Sequence, residues 1–163
     1  MEAYGAPLTS FAVRVLRDRV LAEDIRQQVF LEALQGIDRF RGSSSLWSWL
    51  CGIAYHRCLD ELKRSRRARL TGWPENADLL DALAGEPDAM MDDDRAAKRQ
   101  ALERCLGKFP APIRAQLLMR YFLDLSYQEI GELVGDAHGT VQVRMSRILP
   151  RLRHCLRDKG MDR

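Results

Sequence analysis

The chain has 163 residues, of which 46% are hydrophobic and 30% are charged, and its net charge is +3. This length suffices for one medium-sized domain or two small ones. No apolar run approaches membrane-spanning length and the N-terminus lacks a signal-peptide pattern, so we expect an intracellular protein. The modest net charge conceals a strong segregation, because residues 71–94 hold eight acids and no Lys or Arg.

The sequence carries none of the short motifs that mark common catalytic or cofactor sites. It has no Gly-rich phosphate loop, no G-x-S-x-G turn and no H-E-x-x-H pair, so it predicts neither an enzyme nor a cofactor. The four cysteines, Cys51, Cys58, Cys105 and Cys155, form no C-x-x-C pair. We therefore expect reduced, buried thiols. A metal site built from Cys51, His56 and Cys58 is the alternative, and it is not favoured.

The first two predicted helices cover about residues 8–19 and 22–36. In the second helix, the inward face is predicted from apolar residues at helical spacing: Ile25, Val29, Ala33 and Ile37. The opposite face carries a leucine among acid and amide groups at spacing i, i+3, i+4 and i+7: Asp24, Gln27, Gln28 and Leu31. This pattern is typical of a surface on which another helix docks, although single surface leucines are also common.

A loop rich in glycine and serine, Phe40–Ser44, precedes a third helix predicted to begin at Leu46 and to end near Arg64. Its buried face is predicted to consist of Leu46, Leu50, Ile53, Ala54 and Cys58. Trp47 and Trp49 cannot share a helix face, so we expect one in the core and the other near the surface. Five cations follow between residues 63 and 69. Aromatic rings beside cations are typical of a site for single-stranded nucleic acid, while the alternative is a buried tryptophan with a solvated charge run.

Residues 70–94 change character, because two prolines, two glycines and many acids replace the helical pattern. They predict a linker. The helical pattern resumes at Arg95, breaks at Phe109–Pro112 and resumes over Ile113–Leu123, where four residues are expected to be buried: Leu117, Leu118, Tyr121 and Phe122. The sequence therefore predicts an all-α fold, with two small helical domains joined by an acidic linker.

The stretch from Ser126 to Arg153 has the pattern of a helix-turn-helix. Ser126 and Glu129 predict a capping box, and Gly135 ends a first helix of about nine residues. The second helix has one apolar face, and its other face carries Thr140, Arg144, Arg147 and Arg151, which predicts three guanidinium groups pointing outward. Such a helix can enter a DNA major groove, whereas the alternative is a helical hairpin with a solvated basic face. Pro150 predicts a kink or an early end.

The order of these segments resembles the extracytoplasmic-function group of bacterial RNA polymerase sigma factors. The resemblance is carried by LAEDIRQQVFLEAL (Leu21–Leu34), FRGSSSLWSWLCGIAYHRCLDELKR (Phe40–Arg64) and RYFLDLSYQEIGELVGDAHGTVQVRMSR (Arg120–Arg147). It implies a polymerase- and minus-ten-binding domain over residues 1–67, a linker over 68–94 and a minus-thirty-five-binding domain over 95–163. It also implies a cytoplasmic transcription factor, of a kind often used in stress responses. Such a factor binds core RNA polymerase and promoter DNA, assists promoter melting and is commonly inhibited by an anti-sigma factor.

The resemblance also implies roles for individual residues. Polymerase binding is expected of Asp24, Gln27, Gln28 and Leu31. Binding of the minus-ten element is expected of Phe40, Arg41, Gly42, Ser44, Trp49, His56, Asp60, Lys63 and Arg64. Binding of the minus-thirty-five element is expected of Ser126, His138, Gly139, Thr140, Gln142, Val143, Arg144, Arg147 and Arg151. The chain departs from the group's pattern at Gln28, where an acid is usual, and at His56, Gln142 and Pro150, and the stretch before Phe11 is short.

Two other functions remain open from the sequence. A stand-alone helix-turn-helix regulator would usually bind operators as a symmetric dimer, but no dimerisation segment is apparent. A recombinase or nuclease would need a nucleophile or metal-binding carboxylates, and the dense acids lie in the predicted linker. The charge segregation further predicts that the two domains of the free protein can be held together. Leu31, one of the tryptophans and a linker leucine (Leu79, Leu80 or Leu83) would supply the apolar contacts.

Overall fold

The computed structural model describes residues 2–70 and 93–161. Within these residues the chain forms α-helices, one short 3-10 turn at Ile37–Arg39 and no strand. The helices are α1 (Glu2–Leu16), α2 (Arg19–Gly36), α3 (Leu46–Leu70), α4 (Asp93–Gly107), α5 (Ala111–Tyr121), α6 (Tyr127–Val134) and α7 (His138–Arg157). The predicted all-α fold is confirmed. Most of the predicted linker, including Leu79, Leu80 and Leu83, lies outside the described residues.

The boundary between the first two helices differs from the sequence prediction by several residues. α1 begins at Glu2 and includes Pro7, a residue that usually indicates a helix break. α1 ends at Leu16, and Arg17 then adopts a left-handed conformation with φ of 59°. Asp18 starts α2 at Arg19, because its carboxylate accepts a hydrogen bond from the Leu21 amide at 2.9 Å.

The N-terminal domain packs α1, α2 and α3 around one apolar core. Phe11 and Val15 of α1 are fully buried, and they meet the predicted inward face of α2. That face is confirmed for Ile25, Val29 and Ala33, but not for Ile37, which is 47% exposed because it already belongs to the 3-10 turn. The predicted core of α3 is confirmed at Leu50, Ile53, Ala54 and Cys58. Leu46 is 38% exposed and is the first residue of α3.

The C-terminal domain contains the predicted helix-turn-helix in α6 and α7. The capping box is confirmed, because Ser126 Oγ accepts from the Glu129 amide at 3.2 Å and Glu129 Oε2 accepts from the Ser126 amide at 2.8 Å. Gly135 ends α6 with φ of 78°, in the left-handed region that favours glycine. Gly131 allows the close turn, since a Cβ there would lie 2.5 Å from the carbonyl oxygen of Asp136.

Two predictions for the C-terminal domain are wrong. α7 does not end early at Pro150 but continues to Arg157, because buried side chains hold it to the domain both before the proline (Met145 and Ile148) and after it (Cys155), while a kink at Pro150 stays a prediction. Tyr121 and Phe122, predicted to be buried, are 56% and 40% exposed. They stand where α5 ends and the chain turns towards α6, so that they leave the apolar face of the helix.

The cysteines also differ from the prediction. Cys105 of α4 and Cys155 of α7 form a disulfide with their Cα atoms 5.8 Å apart, because the two helices pack side by side. Cys51 and Cys58 are free and buried, and burial raises the pKa of the Cys58 thiol to about 12. In the described part of the chain, no group of three His, Cys, Asp or Glu residues could hold a metal ion.

A buried arginine joins the two domains. Arg114 of α5 is only 8% exposed and donates to the carbonyl oxygens of Phe109 and Val15. Val15 belongs to the last turn of α1, whose final carbonyl groups have no partner within the helix. Arg114 therefore caps the end of α1 from the other domain. Burial lowers the pKa of its guanidinium, and Nε has no hydrogen-bond partner among the described residues.

Further contacts extend the interface between the domains. Arg14 pairs with Glu103 of α4 at 2.8 Å, and its guanidinium lies 4.4 Å from the centre of the Phe122 ring. Trp47 donates from Nε1 to the carbonyl oxygen of Leu123 at 3.1 Å. Of the apolar residues predicted to hold the domains together, one tryptophan therefore takes part, but Leu31 is 59% exposed. None of the described helices has the length and apolarity required to cross a membrane.

Candidate nucleic-acid and partner interfaces

One face of α2 is exposed and includes every residue that the sequence analysis assigned to polymerase binding: Asp24, Gln27, Gln28 and Leu31. Two apolar residues that the sequence analysis missed lie on the same face, Val20 at 71% exposure and Leu34 at 58%. Both could have been recognised from the sequence, because positions 20, 24, 27, 31 and 34 are spaced so that they lie on one side of a helix. We call these five residues, together with Gln28, the α2 face.

The loop before α3 is held by an aromatic stack. The rings of Phe40 and Trp49 lie 5.0 Å apart, and Trp49 also covers Gly36, where a Cβ would come within 3.3 Å of the indole. Gly42 has φ of 69°, which gives the loop a turn that other residues rarely adopt. Arg41 and Gly42 are exposed, and Ser44 is half-buried. The loop thus presents polar groups beside an aromatic wall.

The adjacent stripe of α3 carries the other predicted minus-ten residues. His56, Asp60, Lys63 and Arg64 are all exposed. Three of them have ion-pair partners on the same helix, since Lys63 lies 3.3 Å from Asp60 and Arg64 lies 2.8 Å from Glu61. Trp47 faces elsewhere, where it stacks on Tyr4 at 5.4 Å. Because Trp47 and Trp49 are both half-buried, the expected division into a core and a surface tryptophan is wrong.

The first four turns of α7 form the exposed surface of the helix-turn-helix. The predicted residues exposed there are His138, Thr140, Gln142, Val143, Arg147 and Arg151, while Gly139 is half-buried. Ser146, which the sequence analysis missed, is exposed beside them. A shallow groove of about 600 Å³ runs along this side and is lined by Gly139, Thr140, Val143, Arg144, Arg147 and Ile148. Ser126 is exposed too, but its hydroxyl is bonded to Glu129 in the capping box.

Arg144 does not point outward as predicted. Its Nη1 donates to Gln116 Oε1 and its Nη2 donates to Asp136 Oδ2, both at 2.7 Å. Gln116 is 4% exposed and also forms a hydrogen bond with Tyr55 of α3. Burial raises the pKa of Tyr55. The guanidinium therefore ties α7 to the turn and to α5. The sequence could not separate Arg144 from Arg147, because both lie on the polar side of the helix.

Comparisons with known proteins cover both domains. Residues 1–68 match the family described as Sigma-70 region 2, and residues 99–152 match the family described as Sigma-70, region 4. RNA polymerase sigma factor YlaC of Bacillus subtilis (strain 168) is 31% identical over 88% of this chain and 82% of its own length. ECF RNA polymerase sigma factor SigE of Mycolicibacterium smegmatis is 30% identical over 83% of this chain, which spans about half (51%) of SigE. The chain is an RNA polymerase sigma factor of the extracytoplasmic-function group.

The fold of this sigma factor also matches a solved structure as a whole. The sigma factor RpoE of Bartonella quintana, in complex with the anti-sigma factor NepR, superimposes with a TM-score of 0.79. The match covers 99% of this chain and 94% of RpoE at 23% sequence identity. Because regions 2 and 4 occur together, a stand-alone helix-turn-helix regulator is not favoured. The sigma factor directs core polymerase to specific promoters and takes part in promoter melting.

Proposed function

We propose that this sigma factor uses three separate surfaces, one for core polymerase and two for promoter DNA. It acts in the cytoplasm, where core polymerase and DNA are found, and it has no catalytic activity of its own. The α2 face binds polymerase, the loop and outer stripe of α3 bind the minus-ten element, and the start of α7 binds the minus-thirty-five element. The observation that carries this assignment is the separation of the three surfaces, each exposed on its own element.

The α2 face suits a protein partner because it combines exposed apolar area with polar groups. Val20, Leu31 and Leu34 are each more than half exposed, and exposed apolar residues on one helix face are typical of a docking surface. Asp24 and the two glutamines give the face directional contacts. A polymerase helix that carries cations beside apolar residues would complement it.

The Phe40–Trp49 stack suits a strand whose bases have left the duplex. An extruded base needs an apolar wall and nearby hydrogen-bonding groups. The stack supplies the wall, while Arg41 and Ser44 stand beside it on the same loop. Lys63 and Arg64 extend the surface along α3 and contact the phosphates of the strand.

The exposed start of α7 suits the major groove of the minus-thirty-five element. Gln142, Val143 and Arg147 are exposed near the beginning of the helix, where a recognition helix contacts base edges. Arg147 supplies a charged donor, and Arg151 one turn later contacts the backbone. Arg144 supports this surface by holding α7 in place.

An anti-sigma factor is a further partner of this chain in our proposal. The matched RpoE is bound by NepR, and in the present chain the two domains are already in contact through Arg114 and Trp47. An inhibitor that bound both domains in this arrangement would stabilise it by preferential binding.

Run-off transcription with purified core polymerase tests the assignment. We expect Asp24→Arg to reduce both co-purification with polymerase and promoter-dependent transcripts, because it reverses the charge of the one acid in the α2 face. The matched control is Asp94→Arg, which reverses another exposed acid, on α4. Undiminished polymerase binding by a folded Asp24→Arg protein would remove the α2 face from the proposal.

A further inference from the structure

The disulfide joins α4, which contacts the N-terminal domain, to α7, which carries the proposed DNA-binding surface. Cys155 lies near the end of α7, the helix that carries the proposed minus-thirty-five surface, while Cys105 lies in the last turn of α4. The two residues are 50 positions apart in the sequence. The chain's other two cysteines, Cys51 and Cys58, are both free and lie on α3 of the other domain. Only the pair in the C-terminal domain is thus placed to be joined.

The same end of α4 contacts the N-terminal domain. Glu103, two residues before Cys105, forms the 2.8 Å ion pair with Arg14 of α1. Gly107, two residues after Cys105, lies close to the guanidinium of Arg17. A Cβ atom added to Gly107 would be only 3.0 Å from Nη1 of Arg17. The disulfide therefore fixes to α7 the short segment of α4 that touches the N-terminal domain.

We propose that Cys105 and Cys155 form a reversible thiol–disulfide switch that sets how firmly the two domains are held together. In the oxidised state α4 is anchored on α7, and the contacts of Glu103 and Gly107 with α1 stay in place. In the reduced state α4 separates from α7 more often, and those contacts are lost with it. The direction of regulation rests on the proposed function, because the closed arrangement then competes with assembly on polymerase and promoter.

The burial of the two sulfurs determines how the switch reacts. Cys105 is fully buried and Cys155 is 7% exposed, so Cys155 is the sulfur that small reagents reach first. With a peroxide as oxidant, the Cys155 thiol gives up its proton and the thiolate attacks one oxygen, which breaks the O–O bond and gives a sulfenic acid and hydroxide; the hydroxide takes up that proton to form water. The Cys105 thiolate then forms the S–S bond and displaces the hydroxyl as hydroxide, which becomes a second water with the proton that Cys105 released. A dithiol reverses the bond through a mixed disulfide and is itself oxidised. In a compartment that keeps thiols reduced, such a bond forms only while oxidant is present.

The test uses the 163-residue chain in both redox states. Reduced protein is treated with hydrogen peroxide, and the joined residues are identified by mass spectrometry after alkylation. We expect two of the four thiols to be lost, as one Cys105–Cys155 cross-link, and dithiothreitol to restore them. Hydrogen exchange of the α4 amides should then be at least about tenfold faster in the reduced state, because the cross-link no longer opposes local opening. Small-angle scattering should show a larger mean radius of gyration for the reduced protein.

Variants make the result specific. Cys105→Ser and Cys155→Ser should each exchange and scatter like the reduced protein and form no cross-link with peroxide, whereas the control Cys58→Ala should keep the full response. Failure of peroxide to form the bond would overturn the proposal. The proposal would also be overturned if exchange in α4 were faster in the reduced protein without any change in the radius of gyration. The disulfide would then stabilise the C-terminal domain alone. None of these measurements requires polymerase, so their outcome is independent of the proposed function.

Discussion

Arg144 and Arg147 lie one turn apart on α7, and we predict that replacing the first affects stability while replacing the second affects DNA binding. Arg144→Ala should lower the free energy of unfolding, while Arg147→Ala should leave it unchanged and weaken promoter binding. The difference follows from their surroundings. Arg144 is 27% exposed and bonded to Gln116 and Asp136, whereas Arg147 is exposed on the surface of the helix-turn-helix.

The size of each effect follows from these contacts. A hydrogen bond from a charged donor contributes about 1.5–3 kcal/mol, and Arg144 makes two at 2.7 Å. Its removal also leaves the buried Gln116 oxygen without its guanidinium donor. Allowing for partial exposure, we expect a loss of about 2–4 kcal/mol. Arg147→Ala should stay within about 0.5 kcal/mol of the original stability. If Arg147 contacts a guanine with both nitrogens, its loss should cost about 1–3 kcal/mol of binding and relax specificity at one base pair.

Two measurements separate the variants. Denaturant unfolding gives the stability, and fluorescence anisotropy of a minus-thirty-five duplex across salt concentrations gives the affinity. If Arg147 touches phosphate alone, the loss should be equal for all sequences and the salt slope should fall by about one unit. Arg104→Ala, at an exposed position on α4, is the control. An Arg144→Ala protein of unchanged stability that lost as much specific affinity as Arg147→Ala would show that Arg144 contacts DNA directly and does not hold the turn.

Three further outcomes are expected. Gly131→Ala should destabilise the C-terminal domain by about 1–3 kcal/mol in denaturant unfolding, because the new Cβ would press on the Asp136 carbonyl; an unchanged midpoint would contradict this. Cys105→Ser should lower the free energy of unfolding of the oxidised protein by about 4 kcal/mol, since the closed loop spans 50 residues; calorimetry would show it. The Cys58 thiol should resist iodoacetamide at pH 8 unless the protein unfolds. The free energy of unfolding should fall as pH rises from 9 towards 12. Its folded pKa is raised from 9.0 to about 12, so unfolding releases a proton in that range.

Local signals explain the parts of the fold that the sequence predicted well. The capping box of Ser126 and the left-handed Gly135 need only a few neighbouring residues to form, so they could be recognised from the sequence. The exposed face of α2 follows from helical periodicity alone, and the resemblance to a known family supplied its meaning. Val20 and Leu34 were missed because apolar residues are usually assigned to the core.

Contacts between distant segments explain most of what the sequence could not predict. The disulfide depends on α4 and α7 lying side by side, which a separation of 50 residues does not reveal. Trp47 became an interface residue because its partner, the Leu123 carbonyl, belongs to the other domain. The position of Arg144 was decided by Gln116, which lies 28 residues away on α5. In each case the chemistry of the side chain was evident, but its partner was not.

Arg114 has a consequence for how easily the domains part. It is buried against two carbonyl groups, with no carboxylate among its hydrogen-bond partners in the described residues. When the domains separate, water can hydrate the guanidinium again and can satisfy the Val15 carbonyl, as it does at most helix ends. No opposite charge is left stranded in an apolar core, which is the usual penalty for breaking a buried ion pair. We therefore expect the domains to separate and re-associate at Arg114 without the penalty of an unpaired buried charge.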